Sequence, residues 1–115
     1  MILIGYKKCS TCQNAEKLLK EKGIDYNYRE IDKEPPTAKE LAGWIKSNGQ
    51  PISKWLNTSG IKYRELGLAQ KRKTMSDSDL LSLIATDGML VKRPILLGKD
   101  LILVGPQVKA WLEEQ

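Results

Sequence analysis

Ile2 to Tyr6 is a short apolar run that stops at Lys7–Lys8, and directly behind it Cys9-Ser10-Thr11-Cys12 leads into Ala15, Leu18, Leu19 and Lys22 at helical spacing. A short apolar run of this kind reads as a buried strand, and recurrence every three to four residues reads as a helix. Gly23 supplies the C-terminal stop. The chain therefore opens as strand, loop, helix, and its two cysteines lie where the strand ends and the helix begins. Residues Asp25 to Ile31 alternate in the manner of a second strand until Asp32-Lys33-Glu34-Pro35-Pro36 breaks it, which makes the first unit β-α-β.

The middle of the chain reads as helical. Thr37-Ala38-Lys39-Glu40 has the form of a capping box, in which a Thr side chain holds the N3 amide and a Glu reaches back, ahead of Leu41, Trp44 and Ile45. That helix runs to about Asn48–Gly49. Short helices are expected at Ile52 to Leu56 and Tyr63 to Leu68, with a turn at Asn57 to Gly60. Ser76 to Asp79 repeats the cap signal before Leu80, Leu81, Leu83 and Ile84, and Asp87–Gly88 closes that segment. Pro94 to Leu97 and Leu101 to Val104 are apolar runs joined by Gly98-Lys99-Asp100, a hairpin pattern, and Val108 to Leu112 makes a last helix. Trp44, Trp55 and Trp111 fall in predicted helices among apolar neighbours and read as core packing. The order predicts one α/β domain over residues 1–115: a thioredoxin-type sheet (about 1–32 and 89–115) carrying a helical insertion (about 33–88).

At 115 residues the chain can bury one core and no more. Its longest apolar run, Ile95 to Val104, is interrupted by Gly98, Lys99 and Asp100, and no charged-then-apolar leader opens the sequence, so a cytoplasmic protein without membrane contact is expected. In a reducing cytosol, two cysteines spaced Cys-x-x-Cys point to catalysis, sensing or metal binding before a structural staple. Histidine is absent. That removes the usual general base, every Cys–His pair and the imidazole half of a structural zinc site, so no metal is expected. The formal charge of +5 is spread over short runs such as Lys7–Lys8 and Lys71-Arg72-Lys73, and the aromatics are scattered. Solvated surface, not a nucleic-acid face, is the reading.

Function is therefore sought at the cysteines. A thiolate is the nucleophile of disulfide exchange, and a cysteine just ahead of a helix meets unpaired amides and the positive end of the helix dipole. Cys9 has that position, and Lys7 and Lys8 are expected to add positive charge. Cys12, three residues on, is placed to attack a mixed disulfide on Cys9. The polar Ser10 and Thr11 between them argue against two cysteines buried merely as small apolar groups. Lys92-Arg93-Pro94 precedes the third strand, where a proline is tolerated only at the strand start. Arg93 reads either as a surface charge or as a fixed cation beside the thiolate or a bound oxyanion.

The strings YKKCSTCQNAEKLL, ELAGWI, YRELGL, DGMLVKRPILL and LVG occur in this order along essentially the whole chain, and together they resemble the ArsC/Spx family. The resemblance implies a thioredoxin-like fold with a helical insertion, a catalytic cysteine at Cys9, and a cis Arg93–Pro94 bond with the arginine facing the active-site loop. The family includes glutaredoxin-dependent arsenate reductases and Spx-type regulators that bind the C-terminal domain of the α chain of RNA polymerase. Well-studied arsenate reductases carry serine where this chain has Cys12. They also carry arginines at the positions of Asn57 and Gly105, so Arg93 alone of three is retained and arsenate is expected to be a poor substrate. The reading that follows is a thiol–disulfide oxidoreductase in which Cys9 attacks, Cys12 resolves and Arg93 supports the thiolate, with Ser10, Thr11 and Pro94 shaping the site. No bound cofactor is expected. An external thiol, glutathione with glutaredoxin or thioredoxin, would recycle the protein, which is expected to be a monomer. A redox-sensing regulator that binds RNA polymerase is the alternative.

Overall fold

The computed structural model describes residues 1–115. Strand β1 (Ile2–Gly5) leads through the cysteine loop into helix α1 (Ser10–Glu21), and β2 (Asn27–Glu30) returns parallel to β1. Helices α2 (Ala38–Asn48), α3 (Ile61–Glu65), α4 (Leu68–Lys71) and α5 (Asp77–Ile84) follow, with 3-10 turns at Ile52–Trp55 and Gly88–Leu90. The hairpin β3 (Ile95–Gly98) and β4 (Leu101–Val104) then precedes α6 (Pro106–Glu113). The four strands lie in the order β2-β1-β3-β4, with β1 antiparallel to β3 and β3 to β4. This is the expected α/β sheet.

Alternation along the strands sends successive side chains to opposite faces, and each face has its own core. Leu3, Leu96, Ala15, Leu19, Val108 and Leu112 pack under α1 and α6. Ile4, Ile31, Ile95 and Val104 face the opposite way, into a larger cluster with Leu41, Trp55, Tyr63, Leu68, Leu80, Ile84 and Leu90 from the helices between β2 and β3. Helix α1, which starts at the cysteine loop, thus rests on the smaller core. Trp55 is fully buried, and Trp44, half-buried, stacks on it at 6.5 Å between ring centroids. Trp111 packs against the smaller cluster.

The capping box at Thr37 forms in both directions: the Glu40 amide donates to the Thr37 hydroxyl at 3.1 Å, and the Thr37 amide donates to Glu40 Oε1 at 3.0 Å. Glu40 also receives a two-pronged contact from Arg29 on β2, both nitrogens at 2.9 Å, while the same guanidinium donates to the Glu34 and Pro35 carbonyls. These bonds tie the sheet to the first inserted helix and hold the Glu40 carboxyl at about 2. The segment expected as one short helix at Tyr63 to Leu68 is two. Gly67, at φ 64°, turns the chain in a conformation that favours glycine, and α4 starts beyond it. The second strand is also shorter than its alternation suggested, beginning at Asn27. No helix is long and apolar enough to cross a membrane.

Candidate active site

Cys9 is the N-cap residue of α1, in extended conformation (φ −92°, ψ 121°), with its amide donating to the Tyr6 carbonyl at 3.0 Å. Its side chain therefore sits where the first helical amides are unpaired. It is half-buried, and the Thr11 hydroxyl is 2.9 Å from its sulfur. Cys12, one turn in, is fully buried, and its sulfur accepts the Tyr6 amide at 3.4 Å. Both are free thiols.

Their surroundings push the two thiols in opposite directions. Burial raises Cys9, but hydrogen bonds from the Thr11 hydroxyl, the Cys12 amide and thiol, and the Arg93 side chain outweigh it and bring the thiol to about 7. Burial raises Cys12 to about 12, against the Tyr6 amide, and the neighbouring Cys9 sulfur adds to the rise. Near neutral pH Cys9 is thus the thiol that supplies thiolate, while Cys12 keeps its proton. Lys7 and Lys8, expected to supply positive charge, are not among the groups that set Cys9: the Lys7 ammonium lies over the Tyr28 ring, 4.0 Å from its centroid. The lowering comes first from the Thr11 hydroxyl, then from Cys12 and last from Arg93.

Arg93 and Pro94 reach the site from the start of β3. The Arg93–Pro94 bond is cis, as the resemblance implied. The guanidinium carbon stands 5.2 Å from the Tyr6 ring centroid, and Nε and Nη1 are buried with no hydrogen-bond partner. Of the two other positions where the resemblance implied arginines, Asn57 donates through Nδ2 to the Met89 carbonyl at 3.0 Å, and Gly105 caps α6 at φ 58°, ψ −128°. Cys9, Thr11, Cys12 and Arg93 are thus gathered at one end of α1, and no hydrogen bond or pKa effect ties Ser10, exposed in the first turn, to either sulfur.

A match to the ArsC family spans residues 4–113. The chain belongs to the ArsC family. Among its relatives within and around that family, the uncharacterised protein YusI of Bacillus subtilis is 43% identical over 100 residues, covering 87% of this chain and 85% of YusI. The regulatory protein MgsR of Bacillus subtilis is 27% identical over 101 residues, covering 88% and 79%. An arsenate reductase of Rhizobium meliloti is 28% identical over 89 residues, covering 77% of this chain but 62% of that enzyme. In three dimensions the chain superposes on an ArsC family related protein from Bacteroides fragilis with a TM-score of 0.91 at 41% identity, over 99% of this chain and 96% of the other. The sheet and its helices are the thioredoxin-like arrangement of ArsC proteins.

Two contributors escaped the sequence reading. A Cβ built on Gly5 would fall 2.8 Å from the Tyr28 hydroxyl and 3.1 Å from both Cβ and Sγ of Cys12. The glycine opens the space that the buried thiol and the phenol share, and the Tyr28 pKa is raised by burial and then by Cys12. A glycine inside an apolar strand run is a signal of close approach, and Gly5 offered it. Tyr28 gave none, since its role depends on β2 lying beside β1. The opposed thiol environments lead to a measurable expectation. In a Cys12→Ser background, alkylation of Cys9 against pH should show a midpoint near 7, and Arg93→Ala should move it upward, because a hydrogen-bonding cation is lost from the thiolate. A midpoint near the ordinary value of about 8.5 would contradict the activation described.

Proposed function

We propose that this ArsC-family protein is a cytosolic thiol–disulfide oxidoreductase in which Cys9 is the attacking thiolate and Cys12 the resolving thiol. The carrying observation is the division of labour between two adjacent thiols, one half-exposed and brought to about 7, the other buried and raised to about 12. In the proposed cycle Cys9 S⁻ attacks a substrate disulfide, displacing one sulfur as thiolate and leaving a mixed disulfide. Cys12, deprotonated, then attacks the Cys9 sulfur, displaces the second substrate thiolate and closes the Cys9–Cys12 disulfide. The substrate leaves as two thiols, and an external dithiol or a glutathione-type thiol system returns the protein to the reduced state. Arg93 and the Thr11 hydroxyl stabilise the attacking thiolate, and Pro94 fixes the approach of Arg93.

Arsenate reduction is the weaker reading, because Asn57 is engaged with a backbone carbonyl and Gly105 has no side chain, leaving Arg93 to hold a dianion. A regulatory reading draws on the likeness to MgsR. It uses the same sulfur pair as a sensor, with RNA polymerase as the partner. One set of assays separates the three. Wild type and Arg93→Ala are given a small disulfide, and arsenate under both glutathione–glutaredoxin and thioredoxin recycling, and both redox forms are offered to the C-terminal domain of the polymerase α chain. Rapid disulfide reduction with slow arsenate turnover and no redox-dependent retention of the polymerase domain is expected. Efficient arsenate turnover that disappears in Arg93→Ala would overturn this assignment in favour of an arsenate reductase, and binding of the polymerase domain by one redox form without disulfide turnover would favour the regulator.

A further inference from the structure

Next to Thr11, whose hydroxyl is 2.9 Å from the Cys9 sulfur, lies a cleft of ≈ 250 Å³ between α1, the segment entering β3 and the start of α6. Its lining divides by chemistry. Ala15 and Leu18 of α1 give an apolar wall, Thr11 leads to the Cys9 sulfur, and Lys92, Arg93 and Lys109 supply three cations. None of the ten lining residues is acidic, and the ion pairs of the protein involve only Arg29 and Lys33 among its cations. Two nitrogens of Arg93 are buried without a hydrogen-bond partner and no carboxylate pairs with it, so the Cys9 sulfur is its one anionic neighbour within the chain. Gly105 keeps the floor low: a Cβ there would stand 3.2 Å from Lys92 Cε, so the glycine gives the lysine stem room alongside. The cleft is smaller than the range of about 300–1,000 Å³ of most ligand sites, a size for one arm of a small molecule and not for a folded protein loop.

We propose that this cleft selects small disulfides whose arms end in a carboxylate, the carboxylate held by Lys92 and Lys109 and the short methylene arm lying along Ala15 and Leu18. Resting on the oxidoreductase reading above, it names the substrate class of that same site. The chemistry is disulfide exchange. The Cys9 thiolate attacks the near sulfur of an R–S–S–R dianion, the S–S bond breaks, and RS⁻ departs with the electron pair. Cys12, giving up its proton, attacks Cys9 and expels the second RS⁻. One RS⁻ takes up the proton released by Cys12 and the other a proton from solvent, equivalent to the one Cys9 gave up on ionising, so two RSH result and the protein keeps the Cys9–Cys12 disulfide. The cations offset the repulsion between an anionic substrate and the Cys9 thiolate, which would otherwise favour cationic disulfides.

Three disulfides with the same two-methylene arms and different ends provide the test: dianionic 3,3′-dithiodipropionate, neutral bis(2-hydroxyethyl) disulfide and dicationic cystamine. Second-order rates of oxidation of the reduced protein are measured at equal low ionic strength. The expected order is anionic, neutral, cationic, with the dianion faster than the dication by about tenfold or more, the lower end of electrostatic acceleration. In the K92Q/K109Q double variant the ratio of dianion to neutral rates should fall toward one. K39Q/K46Q, two exposed positions of α2, removes the same number of charges elsewhere and should leave that ratio as in wild type. Raising the salt on wild type should also compress it, a measurement that needs no variant to fold. A dianion no faster than the dication, or a preference that survives in K92Q/K109Q, would overturn the carboxylate cleft while leaving the oxidoreductase reading intact. Failure of Cys9 to react with all three would overturn both.

Discussion

Cys9→Ser should abolish disulfide reduction, with a loss on the order of a thousandfold or more, the scale on which removing a nucleophile is felt. Cys12→Ser should fail differently. It should still react once with a disulfide and then stall as a mixed disulfide at Cys9, seen as the mass of one substrate thiol added to the intact protein. The two steps should also respond differently to pH. Attack by Cys9 rises with its thiolate and levels off above about 7. Resolution needs the Cys12 thiolate, which near neutrality is suppressed by burial, and it should keep rising with pH well beyond that point. Once Cys9 is bound in a mixed disulfide it no longer carries negative charge, and one of the causes that raise Cys12 is removed. Substrate engagement thereby lowers the barrier to its own release. Single-turnover rates with stopped-flow mass detection from pH 6 to 10 would check this, and matching profiles for both steps would contradict it.

The largest loss of stability from a single methyl group is expected at Gly88. This buried glycine opens the 3-10 turn that enters the β3 segment, and a Cβ there would run into the backbone carbonyl of Ile31. Backbone cannot swing aside as a flexible side chain can. Gly88→Ala should therefore cost about 3 kcal/mol or more, at the upper end of overpacking. With about 4–8 °C of melting temperature per kcal/mol in a domain near this size, thermal unfolding would show it plainly. Gly43→Ala gives the contrast. Gly43 is exposed within α2 with nothing within 4 Å of a built Cβ, and alanine there should stabilise by about 0.5–1 kcal/mol through helix propensity. Equal melting temperatures for the two variants would refute the packing argument.

What the sequence disclosed follows the range of the forces involved. The Thr37 and Ser76 caps were legible because each is made within four residues, and both are present. The strand-to-helix turn carrying Cys9 and Cys12, and the hairpin around Gly98-Lys99-Asp100, were legible for the same reason. The break at Gly67 was overlooked because Leu66 and Leu68 continue an apolar pattern across it. Arg29 could not be read at all, since the carboxylate it grips lies eleven residues away on another element. The expectation for Lys7 failed for the same reason: nearness in sequence suggested the sulfur, while the fold places its ammonium over the Tyr28 ring. Arg93 was legible from the chain only as one of two alternatives, a surface charge or a cation beside the thiolate, and the structure adds that no carboxylate pairs with it.

The vacancy at Gly5 ties the chemistry of the sulfurs to the alignment of the sheet. Gly5 stands opposite Glu30 on β2, one residue beyond the pair Ile4 and Ile95 on β3. A slip of one residue would turn the strand over and bring Ile4 or Tyr6 to this place, and a slip of two would bring Leu3 or Lys7. Every one of these carries a side chain into the volume that Cys12 and the Tyr28 hydroxyl fill. The Cys12 sulfur can settle against the Tyr6 amide only when β1 is seated in its native register. If the proposed cycle holds, competence for its second half is an internal proof of correct strand pairing, and a misaligned chain is left with a lone reactive thiol at Cys9.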